Sequence, residues 1–357
     1  MKIVHCFFSM HTGGAEVLAI DMMNEMCVAH EVILIIVNNW WDEIMIKELN
    51  PRIKVYYIKR KPRSLNPIPV LKFNWLLHKL KPDILHSHTN KIINLIKFGK
   101  YKTVFTVHDV GHENIGLNKY NAIVSISASV AHDIKSRFNI NSTIIYNGIP
   151  INRFVKRENY TLGNDQTFKL VQLGRVVHTK KGHDVLINAV HKLISSNRIQ
   201  YLSLDIIGSG KSTGRSEPYL KQLVDDLNLT ANVKFLGERD RAWLNKNLCQ
   251  YHVLVQPSRY EGFGLTVVEG IAAGLPVAAS AIEGPAEIME GMKTNFLFSP
   301  DNVEACANTL KIIFDAYTKH DMKEITDDMY NVVENRFTLE KMVNQYLLLY
   351  KQIAHSV

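Results

Sequence analysis

The sequence predicts an α/β protein made of two doubly wound domains, each a parallel sheet covered by helices, facing a ligand cleft. Three observations predict it. Short β-rich runs alternate with helical patterns along almost the whole chain, the arrangement of parallel sheets joined by crossover helices. The alternation lapses over a polar stretch, Arg153 to Thr167, and then restarts. The length of 357 residues accommodates two cores at about 150 residues each. The first domain is placed at 1–160 and the second at 161–338. A final helix, 339–357, is assigned back to the first domain.

In the first domain, Lys2–Phe8 reads as a strand, and Gly13–Ala29 as a helix with Val17, Ile20, Met23, Met26 and Cys27 as its apolar positions. Strands follow at Glu31–Val37, Ile53–Ile58, Asp83–His86, Thr103–Val107, Ala122–Ser125 and Thr143–Tyr146, with helices at Ile68–Leu80 and Ser129–Phe138. In the second domain, strands are predicted at Phe168–Leu173, Leu202–Ile207, Val233–Leu236, Val253–Val255 and Pro276–Ala279. Helices there are Asp184–Leu193, Tyr219–Leu227, Thr266–Ala273 and Val303–Tyr317. The last helix carries Met342, Val343, Tyr346, Leu347 and Tyr350 on one stripe.

Composition narrows the class. With 46% hydrophobic and 21% charged residues the chain is neither disordered nor collagen-like, and no apolar run approaches the roughly 18 residues of a membrane span. The start, Met1-Lys2-Ile3-Val4, enters a strand directly rather than a signal peptide, and Cys6, Cys27, Cys249 and Cys306 form no CxxC pair; both point to a cytoplasmic protein with reduced thiols. The net charge of +8 is lopsided: residues 1–160 hold 21 Lys and Arg against 12 Asp and Glu, the remainder 21 against 22. A basic first half favours an anionic partner, either nucleic acid or an acidic membrane surface.

Two motif matches fail. Gly208-Ser209-Gly210-Lys211-Ser212-Thr213 has the look of a phosphate loop, but the first glycine of that pattern should sit at Asp205, and Gly214 and Pro218 argue against the helix that must follow. A dinucleotide fingerprint would need a third glycine at Thr213. Metal chemistry is weakly supported. His86, His88, His108 and His112 form no HExxH pair, and no Asp-x-Asp exists, the nearest approach being Glu238-Arg239-Asp240. A bound diphosphate would then be neutralised by protein cations and helix amino termini.

Three motifs remain. His11-Thr12-Gly13-Gly14-Ala15-Glu16 follows the first strand and opens the first helix, where glycines admit an anion to main-chain N–H groups. Gly174-Arg175 with Lys181-Gly182 sets two cations at the first strand-to-helix crossing of the second domain. Most specific is Glu261-Gly262-Phe263-Gly264-Leu265-Thr266-Val267-Val268-Glu269, running on through Ala272-Ala273-Gly274-Leu275-Pro276. It sets one carboxylate before a glycine turn and a second about two turns into a helix, both able to meet sugar hydroxyls in one cleft.

This segment resembles the Glu-x7-Glu motif of the retaining GT-B glycosyltransferases of family 4. Further hallmarks occur in order: Gly13–Glu16, Thr106-Val107-His108-Asp109, Asn147-Gly148-Ile149, Gly174-Arg175 with Lys181-Gly182, and Gly208-Ser209-Gly210. The resemblance implies the GT-B fold, two Rossmann-like domains about a cleft. It implies transfer of a sugar, with retention, from a UDP- or GDP-sugar to a hydroxyl of a saccharide or lipid-linked acceptor in bacterial surface-polysaccharide (O-antigen or capsule) synthesis. No divalent metal or other cofactor is expected. By the resemblance Gly13 and Gly14 lie beside the donor diphosphate and the acceptor, and His108 at the transferred sugar. Arg175 and Lys181 bind phosphate, with Lys180 the alternative to Lys181. Glu261 holds sugar hydroxyls, assisted by the backbone at Phe263 and Gly264. The backbone at Leu265 and Thr266 lies near the phosphate, Gly208 is donor-binding, and Glu269 meets the ribose. The chain departs from the family pattern at Glu283-Gly284-Pro285-Ala286-Glu287. The basic first domain, with Lys59-Arg60-Lys61-Pro62-Arg63 and a helix bearing Lys72, Trp75 and Lys79, suits anionic lipid at the inner face of the plasma membrane. Two other readings stay open: a nucleotide-sugar epimerase of the same architecture, and a nucleic-acid-binding protein, for which no aromatic-basic platform is evident.

Overall fold

The computed structural model describes residues 1–11, 13–113, 115–163, 166–210 and 214–355. The chain forms two compact units, Met1–Ile149 with Phe337–Val357, and Pro150–Arg336.

The first unit contains β1 (Lys2–Phe7), α1 (Gly14–Met26), β2 (Glu31–Asn38), α2 (Glu43–Lys47), β3 (Lys54–Arg60), α3 (Ile68–Leu80), β4 (Ile84–Ser87), β5 (Thr103–Val107), β6 (Ala122–Ser125), α4 (Ala128–Phe138) and β7 (Thr143–Ile144). Its strands run parallel in the order β3-β2-β1-β4-β5-β6-β7. The strand sequences explain this. Seven of the eight residues of β2 are buried, as both faces of a doubly wound sheet require. Under α3, Phe73, Leu76, Leu77 and Leu80 pack on Val4, Cys6, Ile33, Ile35 and Leu85.

The second unit contains β8 (Phe168–Leu173), α5 (His178–Lys181), α6 (His183–Ser195), β9 (Leu202–Ile207), α7 (Ser216–Asp226), β10 (Val233–Gly237), α8 (Arg241–Asn247), β11 (Val253–Gln256), α9 (Leu265–Ala272), β12 (Val277–Ser280), α10 (Glu283–Met289), β13 (Phe296–Phe298), α11 (Val303–Thr318) and α12 (Met322–Arg336). Its sheet is also parallel, in the order β10-β9-β8-β11-β12-β13. The final helix α13 (Leu339–His355) belongs to the first unit. There its Tyr350 hydroxyl lies 2.6 Å from His86 Nδ1, and its Tyr346 hydroxyl 2.9 Å from Thr106 Oγ1.

In both sheets the strand order reverses once, between β1 and β4 and between β8 and β11. Ligands of doubly wound folds bind at this switch, outside the carboxyl ends of the strands.

Two expectations need correction. The boundary is not at 160. Residues 150–160 pack with the second unit: Val155 N–H donates to Asn245 (2.8 Å), Arg157 N–H to Ala273 (2.9 Å), and the Tyr160 hydroxyl to the Gly274 carbonyl (2.8 Å). The polar character of this stretch serves to satisfy carbonyls rather than to hydrate a linker. The second correction concerns the segment after Gly210. A helix does follow, α7, with Pro218 in its first turn, where no intrahelical N–H bond is lost. The phosphate-loop reading still fails on glycine spacing; Lys211, Ser212 and Thr213, like Thr12, lie outside the described residues.

Among the described residues no helix is long and apolar enough to cross a membrane. All four cysteines are free thiols; Cys6, Cys27 and Cys306 are buried.

Candidate active site

At the β8/β11 switch of the second unit, charged groups distant in sequence converge. Gln256 ends β11, and five residues on Glu261 turns back beside it: Gln256 Nε2 donates to Glu261 Oε2 at 3.0 Å. Lys181 Nζ donates to the same oxygen. Their side chains are only 15% and 17% exposed, so each ion needs the other here. Thr266 Oγ1, in the first turn of α9, donates to Gln256 Oε1 at 2.8 Å. A chain Lys181–Glu261–Gln256–Thr266 therefore rims the carboxyl end of the sheet. Glu269 lies three residues beyond Thr266, on the same side of α9, and is half-buried.

The loops behind this rim are held by backbone. Gln172 Nε2 donates to the Lys181 carbonyl at 2.9 Å, tying α5 to β8. Gly208, with φ +147, has its α-carbon so near the Gly174 carbonyl oxygen that a Cβ there would lie 1.8 Å from it. Only glycine permits that approach, which lets Val176 N–H reach the Ser209 carbonyl at 3.0 Å. Its role is thus to press the ends of β8 and β9 together. Arg175, in the loop so shaped, is exposed and has no ion pair among the described residues. Leu265 and Thr266 open α9, where first-turn N–H groups have no intrahelical acceptor. The Phe263 ring is buried, and Gly264 is the cap residue before α9. Glu283–Met289, the stretch that departs from the family pattern, is the helix α10, and Gly284 in it packs closely on the Phe263 carbonyl.

Arg259 was invisible to motif reading and is the clamp of this loop system. Its guanidinium donates to both oxygens of Asp184 (2.9 and 2.8 Å), to the His178 carbonyl (2.7 Å) and to Asp301 (2.5 Å). Its own N–H donates to the Lys180 carbonyl at 2.8 Å. The segment carrying Lys181 is thereby bolted to the segment carrying Glu261. Burial alone would raise the Asp184 carboxyl, but the hydrogen bonds and charge of Arg259 outweigh it and hold the group below the usual carboxylate range. Gln256 was missed as well. Nothing local marks it, because its partners are set by the turn to Glu261.

At the β1/β4 switch of the first unit lies a second polar cluster. His5 and His86 are cross-strand neighbours, and His88 follows β4. His5 Nδ1 is 3.1 Å from His88 Nε2, and His88 Nδ1 is 3.2 Å from His108 Nε2. Desolvation lowers all four rings, His5 to about 3 and His108 to about 4, so they are neutral near pH 7. Glycines 13 and 14 begin α1; Gly13 is its N-cap and makes no side-chain cap hydrogen bond. His112 stands apart, stacked on Phe105.

His5, His86 and His88 are the one group among the described residues whose donor atoms lie close enough to ligate a metal, all within 4.8 Å. The chemistry does not fit. His86 spends both nitrogens on Tyr350 (2.6 Å) and Thr106 (2.8 Å), and His88 spends both on its neighbours. A dication could bind only by breaking these hydrogen bonds, leaving the buried Tyr350 and Thr106 hydroxyls without their histidine partner.

Comparison with known proteins agrees with this architecture. A family described as glycosyl transferases group 1 matches residues 156–329, and one described as glycosyltransferase family 4 matches residues 12–153. The lipopolysaccharide core biosynthesis mannosyltransferase LpsB of Rhizobium meliloti is 26% identical over 71% of this chain and 76% of its own length. A sucrose synthase from Denitrovibrio acetiphilus is 33% identical over 26% of this chain; the match spans 12% of that protein, a small part of its length. The crystal structure of Anabaena HepE in complex with UDP and glucose superposes with a TM-score of 0.81 at 20% identity, covering 98% of this chain and 99% of that one. The chain has the GT-B fold and belongs to the family 4 glycosyltransferases.

Proposed function

We propose that this protein transfers a sugar from a nucleoside diphosphate sugar, with UDP or GDP as the nucleotide, to a hydroxyl of a saccharide acceptor, retaining the anomeric configuration and using no divalent cation. The observation that carries the reading is the contact of Lys181 with Glu261 at the carboxyl end of the β8/β11 sheet. Donor binding then exchanges partners. The ammonium moves to the diphosphate and the carboxylate to sugar hydroxyls, so neither ion is stranded. Arg175 adds a second cation, the N–H groups of Leu265 and Thr266 add dipole, and Glu269 takes the ribose. His108 hydrogen-bonds the sugar undergoing transfer. As the glycosidic bond breaks, negative charge grows on the leaving phosphate oxygen, and these groups meet it. That oxygen then accepts the proton of the attacking hydroxyl on the same face of the sugar, so no protein nucleophile is needed. The words attached to relatives support the reading: lipopolysaccharide core for LpsB, UDP and glucose for HepE.

The acceptor in this reading is lipid-linked and the enzyme works at an anionic cytoplasmic membrane surface. Support comes from α3, whose outer face carries Ile68 (67% exposed), Leu71 (53%) and Trp75 (62%) among Lys72 and Lys79, with Leu65 fully exposed nearby. Apolar and cationic side chains interleaved in this way suit an interface of anionic lipid. The deciding experiment is a panel of nucleotide sugars with oligosaccharide acceptors and liposomes. Acceptor-dependent release of nucleoside diphosphate supports the proposal. Conversion of a donor alone to its isomer would make the protein an epimerase instead.

A further inference from the structure

His108 is the first-unit residue assigned to the transferred sugar, and an imidazole can meet a hydroxyl as donor or as acceptor. The two roles need opposite tautomers. We propose that His88 and His5 are positioning residues that fix His108 as the Nδ1–H tautomer, a neutral hydrogen-bond donor. The proposal rests on the sugar-binding role of His108 and specifies its chemistry.

The geometry is that of an imidazole wire. His5, His88 and His108 lie nearly in one plane, with interplanar angles of 21° and 24° and ring centroids 5.4 Å apart at both steps. Their contacts of 3.1 and 3.2 Å therefore place each N–H in line with an in-plane lone pair. Phe7 lies parallel to His88 at 4.4 Å and 7°, holding the middle ring at its angle. His86 is not part of the wire, because Tyr350 and Thr106 occupy both its nitrogens.

Three neutral rings in series allow two proton arrangements. In the first, His108 Nε2–H donates to His88, His88 Nε2–H donates to His5, and the surplus N–H falls on His5 Nε2. In the second every proton is turned round: His5 Nδ1–H donates to His88 Nε2, His88 Nδ1–H donates to His108 Nε2, and His108 Nδ1 carries the outer proton. His5 decides between them. It is fully buried, and its Nε2 has no hydrogen-bond partner. An orphaned buried N–H is rarer in proteins than an under-satisfied acceptor, so the second arrangement prevails. His108 Nδ1, on a half-buried ring, has no partner among the described residues and offers its proton outward.

The test reads the His108 tautomer directly. Histidine in the intact protein is labelled with 15N, and long-range proton–nitrogen correlations are recorded near neutral pH without donor, with His108→Gln assigning the signals. Wild type is expected to show Nδ1 protonated and Nε2 bare. In His88→Phe, and independently in His5→Leu, His108 is expected to gain Nε2–H population. His88→Asn, whose amide can donate from the position of the lost Nδ1, is expected to restore the wild-type tautomer. Turnover should fall about tenfold in His88→Phe with the donor KM little changed, and recover in His88→Asn. An Nε2–H tautomer in wild type would overturn the proposal, as would an unchanged tautomer in both His88→Phe and His5→Leu. Correct tautomers in a protein without transferase activity would instead overturn the proposed function and leave the wire standing.

Discussion

Replacing Lys181 with alanine is expected to lower the turnover of sugar transfer by about 10²–10³ while leaving the protein folded. Lys181 is the cation that the structure holds at the switch point, tethered through its own carbonyl to Gln172 and through its ammonium to Glu261. In the transition state the departing phosphate carries more charge than in the bound donor, so the lost interaction is worth most there. The deficit should appear chiefly in kcat, with the donor KM changed less. Stability should fall by about 2 kcal/mol, because the largely buried Glu261 carboxylate loses its counter-ion and keeps only the Gln256 amide as a donor. Steady-state kinetics with a melting curve check both halves. Near-normal turnover in a folded Lys181→Ala protein would remove this residue from the mechanism.

The largest stability effect is expected at Gly182. It joins α5 to α6 at φ +64, and a Cβ there would fall 1.8 Å from the Pro257 carbonyl oxygen and 2.8 Å from its carbon. Both are main-chain atoms, so no side-chain rotation relieves the overlap. An alanine must also take a left-handed conformation. Together these cost about 3 kcal/mol, which lowers the melting midpoint by roughly 6–12 °C for a unit of this size. Gly163→Ala is the control, because its Cβ would meet only Gln166 side-chain atoms at 3.7 Å, an ordinary contact. Equal midpoints for the two variants would mean that the Lys181 segment does not pack on Pro257 as described.

Much of the architecture is legible in single elements. The β2 run and the α3 span are readable because one is apolar from Val32 to Val37 and the other repeats apolar residues at helical spacing, Phe73, Leu76, Leu77 and Leu80. What escapes reading does so for local reasons. α12 gives a weak helical signal because its buried stripe, Met322, Thr326, Met329 and Val333, includes a threonine and is surrounded by charge. α8 has no buried residue and is announced only by its Asp240 cap. β13 is three residues long, and α10 opens with Glu283-Gly284-Pro285, which reads as loop.

The site divides in the same way. Lys181 and Glu261 can each be marked by motif, but their contact, across eighty positions, depends on the adjacency of β8 and β11. Arg259 reaches Asp184 and Asp301 over distances that no local pattern encodes. His5 belongs to no motif. It joins His88 and His108 only because β1 lies beside β4 in the sheet.

In the proposed mechanism protein cations and main-chain dipoles, rather than a divalent ion, meet the charge on the leaving phosphate. The most direct measurement is the rate of transfer by protein stripped with EDTA and assayed with EDTA present, then with added manganese. The expected result is an undiminished rate that manganese does not raise. Loss of activity in the chelator with recovery on manganese would contradict the assignment of Lys181 and Arg175.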